Sequence, residues 1–204
     1  MDKMKRQSFM HGGPVPAKKA ATGGHWSMKL LQSMEDPNMV VESDSLTVTI
    51  KDAFPKAKHH YLILPKESIS SLSSLTAKHV SLLEHMDERG QSLTKQLTDK
   101  NPNLEFRQGY HAVPSMSQLH MHVISQDFDS ICLKTKKHWN SFTSDFFIDS
   151  QQIIKMLKSQ NKVEIDRGKY EALLKADLVC HRCKHNPKNM PALVQHINTH
   201  LSQQ

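Results

Sequence analysis

Gln118-Leu-His-Met-His-Val-Ile-Ser125 is the stretch on which the reading of this chain turns. Polar and apolar residues alternate along it with the period of an extended strand. Leu119, Met121 and Val123 therefore point to one side, and Gln118, His120 and His122 to the other. Two imidazoles so placed stand roughly 6–7 Å apart on one surface. Imidazole titrates near neutral pH, with an ordinary pKa of about 6.5, so it can serve as acid, base or nucleophile. Three readings compete here: a His-x-His metal site, a polar face without chemistry, and a covalent nucleophile beside a second imidazole. Spacing alone does not choose among them.

Around this strand the pattern is mixed. Leu46–Ile50, His60–Leu64 and Leu104–His111 read as further strands, with Pro55 and Pro65 as punctuation. Leu75–Leu97 has the period of a long amphipathic helix, and Ser144–Ser159 that of a second. A short helix is expected over Trp26–Ser33, a short strand over Val163–Ile165 and a helical turn over Tyr170–Leu174. Antiparallel strands interrupted by a long helix predict an α+β domain with flanking helices. Its expected span is 25–160, after a disordered basic leader over 1–24 that carries Lys3, Lys5, Arg6, Lys18 and Lys19.

The last part of the chain is more specific. Cys180, Cys183, His196 and His200 spell C-x2-C-x12-H-x3-H. A Cys knuckle offers two thiolates, and two His four positions apart project from one helical face, which together make a tetrahedral Zn²⁺ site. Met190–Leu201 supplies the helix, with Leu193, Ile197 and Leu201 as its apolar stripe. A small C2H2 zinc finger and its linker are thus expected over 161–204, holding one structural zinc as a module apart from the histidine strand.

Composition narrows the partners. The 204 residues carry a formal charge of +7, which favours a polyanion such as nucleic acid. Lys134, Lys136, Lys137, His138 and Trp139 form a basic stretch with an aromatic, suited to a DNA track. Of three cysteines two belong to the finger, leaving Cys132 single, which argues against a disulfide framework. There is no run of about 18 apolar residues, and the expected protein is soluble and intracellular, with no membrane partner.

The histidine strand resembles the signature of the histidine triad family, His-φ-His-φ-His-φ-φ with φ apolar, except that Gln118 stands where the first His is expected. Asp52-Ala-Phe-Pro-Lys56-Ala-Lys-His-His60-Tyr-Leu-Ile-Leu-Pro65 resembles a second family segment. The resemblance implies a histidine triad fold in which His120 attacks the α-phosphorus of a nucleotide. It places His60, His122 and Ser117 beside that nucleophile, and Asp52, Lys56, Ser115, Gln118 and Leu30 around the nucleotide, with Asp52 on the ribose hydroxyls. Further segments, among them Gly109-Tyr-His-Ala-Val-Pro-Ser-Met-Ser117 and Lys137-His-Trp-Asn-Ser-Phe142, are similar to a DNA-processing branch of the family that ends in a C2H2 finger. The forkhead-associated domain of vertebrate members has no counterpart in these residues.

That branch implies a nuclear DNA-repair hydrolase. It would remove AMP from adenylated 5′ ends of nicked DNA through an AMP–histidine intermediate, with no metal at the catalytic step. Trp26 would lie against the base or DNA end. Two rivals stand beside this reading: a general nucleotide phosphoramidase or dinucleoside polyphosphate hydrolase, and a non-enzymatic DNA-binding adaptor.

Overall fold

The computed structural model describes residues 30–201. Six strands form one antiparallel sheet: β1 (Val40–Ser43), β2 (Thr47–Lys51), β3 (His60–Pro65), β4 (Phe106–His111), β5 (Met121–Ser125) and β6 (Phe147–Asp149). Their order is β1-β2-β3-β5-β4-β6. The chain leaves β3, crosses as helix α1 (Val80–Thr98), returns as β4, and then inserts β5 between the two. That insertion sets Leu62 and Gly109 on either side of His122, so β3 and β4 both present residues to the histidine strand.

One sheet face is closed by α1 and by α3 (Ser150–Gln160). Ile63, Tyr110, Met121, Val123 and Ile148 of the sheet meet Leu83, Met86, Ile153, Ile154 and Leu157 of the helices in one apolar cluster. Gly90 lets α1 approach closely: a Cβ there would come within 2.5 Å of Gln108 Oε1 and 2.9 Å of Met121 Cε. The opposite face divides into two clusters. Leu30, in helical residues 30–33, packs on Val48, Ile50, Leu62 and Leu64. At the other end lies α2 (Lys136–Thr143), where Trp139 and Phe142 pack with Phe147, Ile124 and the finger's Leu178, Leu193 and Ile197. The histidines occupy the ground between these clusters.

Several expectations are corrected by this architecture. The helix expected over Ser144–Ser159 is a turn, a strand and a helix. Ser144 ends α2 in extended backbone, and the apolar run Phe146-Phe147-Ile148 is buried and pairs with β4. Val163–Ile165 is no strand, its neighbourhood holding a single bridge between Thr76 and Lys162. Edge strand β1 had no strong alternation to announce it. The finger packs on the main domain, its Leu178, Leu193 and Ile197 completing an apolar cluster with Trp139 and Phe142. The turn expected near Tyr170 is helix α4 (Arg167–Leu173), and α5 (Met190–Leu201) forms as expected. Trp26 lies outside the described residues.

Asp87 ties the helices to the sheet. Its buried carboxylate accepts hydrogen bonds from Gln91 (2.7 Å), Gln108 (2.5 Å), Ser150 and Gln151 (2.6 Å), so α1, β4 and α3 meet on one charge. Truncating it strands several donors at once. We expect Asp87→Ala to cost on the order of 3 kcal/mol, a fall in Tm of about 6–12 °C for a chain of this size. Thermal unfolding checks this, and an unchanged Tm would show that water replaces the carboxylate without penalty.

Candidate active site

Strand pairing brings four imidazoles together. His120 and His122 come from the Gln118–Ser125 stretch, His60 from the start of β3 and His111 from the end of β4. The rings of His60, His111 and His120 have centroids 5.2, 4.4 and 4.9 Å from that of His122. Opposite His122, Gly109 permits the close approach of β6: a Cβ there would meet Ile148 O at 2.3 Å.

Hydrogen bonds assign the protons. The Lys56 backbone N–H donates to His60 Nδ1 (3.1 Å), which must therefore be unprotonated. His60 carries its proton on Nε2 and donates it to His122 Nδ1 (3.0 Å). In its neutral form His122 then holds a proton on Nε2, a sealed atom with no partner among the described residues. His120 is set the other way: its Nδ1–H donates to the Gln118 carbonyl (2.7 Å), leaving Nε2 with a free lone pair. The chain thus leaves one imidazole with a bare ring nitrogen and its neighbour with a buried N–H.

Burial keeps these rings neutral. It pushes the pKa of His60 down to about 4, Lys56 and His120 adding to the effect and the Asp52 carboxylate opposing it. His111 and His122 fall well below the ordinary value, first through burial and then through the neighbouring imidazoles and Lys56. Burial also lowers His120, opposed by the Gln118 carbonyl and Asp52. The free base needed for nucleophilic attack is therefore present at neutral pH.

Asp52 stands at the rim. One carboxylate oxygen accepts the Phe54 N–H (2.7 Å), while the other lies 3.5 Å from His60 Nδ1. Lys56 is held by the Phe54 carbonyl and has its pKa lowered by burial, against the pull of Asp52 and Cys132. Ser115 and Ser117 are exposed on the loop before the histidine strand. They line a polar recess of about 490 Å³ with Ser70, Ser71, Ser73 and Arg167. Leu30 is buried in the wall beside β2 and β3.

Two expected site residues act differently. The Gln118 side-chain amide donates to the carbonyls of Pro65 (3.2 Å) and Glu67 (3.1 Å), so its N–H groups are committed to the loop after β3. Its contribution to the site is its backbone carbonyl, which orients His120. Trp139 cannot stack on DNA, because it is fully buried and its Nε1–H donates to Val179 O (2.9 Å). Lys134 and Lys137 are exposed at the start of α2, while Lys136 pairs with Asp177 (3.3 Å). His138 is half-buried, its Nδ1 accepting from the Lys134 N–H (3.2 Å).

His111 and Phe142 are the site residues that sequence reasoning missed. His111 ends a strand in which Arg107, Gly109 and His111 share the site face, so the alternation that exposed His120 and His122 carries the same signal here. His111 is intermediate in exposure as a residue, yet its Nε2 is sealed and has no partner among the described residues.

In the finger, one donor atom from each of Cys180, Cys183, His196 and His200 lies within 4.8 Å of all the others. Cys183 Sγ is 3.0 Å from His196 Nε2, Cys180 Sγ 3.5 Å from His200 Nε2, and the two Nε2 atoms 3.2 Å apart. A tetrahedral Zn²⁺ with bonds of about 2.0–2.3 Å sets its ligands about 3.3–3.8 Å apart, so the donor set fits zinc. Bound there, the ion would cross-link the Cys knuckle to α5.

Residues 25–138 match the family model described as scavenger mRNA decapping enzyme C-terminal binding, and residues 143–203 the model of the C2HE / C2H2 / C2HC zinc-binding finger. Aprataxin of Ciona intestinalis is 54% identical over 182 residues, covering 89% of this chain and 48% of that protein. An aprataxin-like protein of Saccharomyces cerevisiae is 31% identical over 192 residues, covering 80% of this chain and 87% of the yeast protein. The crystal structure of the aprataxin ortholog Hnt3 (from Schizosaccharomyces pombe) in complex with DNA matches with a TM-score of 0.69 at 28% identity. The match covers 85% of this chain and 92% of that one. The chain spans about half the length of the animal aprataxins it matches, 48%, 55% and 56% of three of them.

The depressed imidazole pKa values have a consequence for stability. A chain that unfolds frees His60 to protonate near pH 6.5 rather than about 4. The unfolded state therefore binds more protons in that window, and stability falls as pH drops through it. We expect Tm to be nearly constant above pH 7 and to decline steadily from pH 6.5 to 5, with finger zinc content followed in parallel. A flat Tm over that range would mean that the rings are not held neutral.

Proposed function

The chain belongs to the aprataxin family, a histidine triad fold joined to a zinc-binding finger, and from that premise we propose that it removes AMP from adenylated 5′ ends of DNA. The observation that carries the proposal is the His120 tautomer, whose Nδ1–H is bound to the Gln118 carbonyl and whose Nε2 is free.

In this reading the adenosine ribose lies over Asp52, and His120 Nε2 attacks the α-phosphorus. A P–N bond forms as the bridging P–O bond breaks, and the DNA 5′-phosphate leaves with the electron pair. The Gln118 carbonyl stabilises the positive imidazole that results. Water then attacks phosphorus, the P–N bond breaks, and AMP departs while its proton passes to solvent. Once the bound nucleotide uncovers it, the sealed His122 Nε2–H donates to a non-bridging oxygen where negative charge accumulates. Lys56 adds positive charge beside Asp52, and Ser115 and Ser117 supply hydroxyls toward the leaving strand. The chemistry rests on imidazoles, and zinc in the finger is structural.

DNA as the substrate is supported by the net charge of +7, by exposed Lys134 and Lys137, and by the relative solved with DNA. The proposal includes a DNA-repair role in the nucleus, where nicked DNA arises, with AMP as product.

Incubating the chain with a 5′-adenylated nicked duplex should release AMP and leave a 5′-phosphate. Preference for a small AMP amide or a dinucleoside polyphosphate over the nick would favour the general nucleotide hydrolase instead. His120→Ala should lower turnover at least about a hundredfold with DNA binding kept, because a nucleophile acts only in the chemical step. Acid-labile AMP trapped on any other residue would remove His120 from its role. Asp52→Ala should raise KM more than it lowers kcat, since a ribose contact is present in ground and transition states alike. A pure loss of kcat would place Asp52 in the chemistry.

A further inference from the structure

Outside the imidazoles themselves, Phe142 is the one side chain among the described residues whose ring meets three of the four. It stands edge-on to His60 (5.2 Å, 88°) and to His122 (5.2 Å, 89°), and packs against His111 at 4.6 Å. It is itself buried, and its neighbour in the wall is Phe147, 5.7 Å away. One turn earlier on α2, Trp139 is gripped by the finger: its Nε1–H donates to Val179 O, the residue before Cys180, and the His181 ring stands 5.4 Å from it. His181 in turn bonds the Gln126 carbonyl (3.1 Å), and Asn140 donates to the Ala176 carbonyl (2.8 Å) in the segment leading to the finger. Leu193 and Ile197 of α5 complete the same cluster.

We propose that Phe142 is a positioning residue through which the zinc finger shapes the imidazole site, so that zinc occupancy governs the reactivity of the histidines as well as contact with DNA. The inference rests on the proposed reaction for its kinetic readout. The physical reason is continuity: α2 is clamped between the finger and the sheet, so a finger without its metal loosens Trp139. Phe142, three residues on, then no longer seals His60, His111 and His122 from water. The charged and titratable groups that face this cluster are Asp52 and Lys56 from the loop before β3, His111 from β4, His120 just before β5 and Lys137 from α2. Arg107 and Asp149 pair beside Phe147 (2.8 Å). None of these residues is replaced in the Phe142 variants, so a shift in imidazole titration there reports the lost seal, whereas a loosened finger also moves Lys137 with α2.

Three variants separate the possibilities: Phe142→Ala, Phe142→Leu and Cys183→Ser, each compared with the zinc-loaded chain. Two readouts are followed, the pH profile of kcat on a small AMP amide and the NMR titration of the histidine Cε1–H signals without substrate. Water entry raises imidazole pKa values toward the ordinary value, so the acid limb of the profile and the NMR midpoints should move up by about half a unit or more. Misplaced rings should lower plateau kcat by about ten- to a hundredfold. Phe142→Leu should restore most of both, because an apolar seal remains. Cys183→Ser should move the same signals in the same direction although it touches no site imidazole.

A folded, zinc-loaded Phe142→Ala with unaltered midpoints would overturn the proposal, as would Cys183→Ser with unaltered midpoints after finger signals are lost. Should Phe142→Ala fail to fold, Trp139→Phe decides: it removes the hydrogen bond to Val179 and should give a smaller shift of the same sign, and no shift would contradict the coupling. Wild-type failure on adenylated DNA would sink the proposed function alone. The substrate-free titration would still decide the role of Phe142.

Discussion

The hydrogen bond from the Lys56 backbone N–H to His60 Nδ1 is the constraint from which the site's chemistry follows. A backbone amide can only donate, so His60 must keep its proton on Nε2, and His122 must accept on Nδ1 and present Nε2–H. The Gln118 carbonyl, which can only accept, imposes the opposite arrangement on His120. Two backbone groups thereby give identical side chains opposite tautomers. Both depend on register, because only β5 lying between β3 and β4 brings these residues to one face.

Keeping several imidazoles dry has a cost in stability that grows in acid, and the fold sustains it with a close-packed wall. Phe142 and Phe147 close the site on one side, and the cluster around Leu30, Val48, Ile50 and Leu62 lies on the other. Without those walls the rings would titrate in the physiological range, and part of the free base would be lost to protonation. The finger belongs to this wall, because Leu178, Leu193 and Ile197 share its core.

Much of the site was legible in the sequence where a period or a spacing carried it. Strict alternation placed His120 and His122 on one face, and the Cys and His spacing marked the four zinc ligands that the fold brings within 4.8 Å. His60 and Asp52 came through family resemblance, and the structure sets them 3.5 Å apart. What stayed hidden depends on contacts between distant segments. Trp139 reads locally as an aromatic in a basic stretch, but its burial is decided by Val179, forty residues on. Phe147 fits a helical period, yet pairing with β4 makes it a strand. Gln118 looked like a ligand contact because side-chain type suggested one, whereas two loop carbonyls claim its amide.

The central claim is a proton assignment, and nitrogen-15 NMR of the histidine side chains at neutral pH tests it most directly. His120 should show an unprotonated Nε2 and protonated Nδ1, and His60 and His122 the reverse tautomer. A His120 ring protonated at Nε2, or protonated at both nitrogens at pH 7, would contradict it.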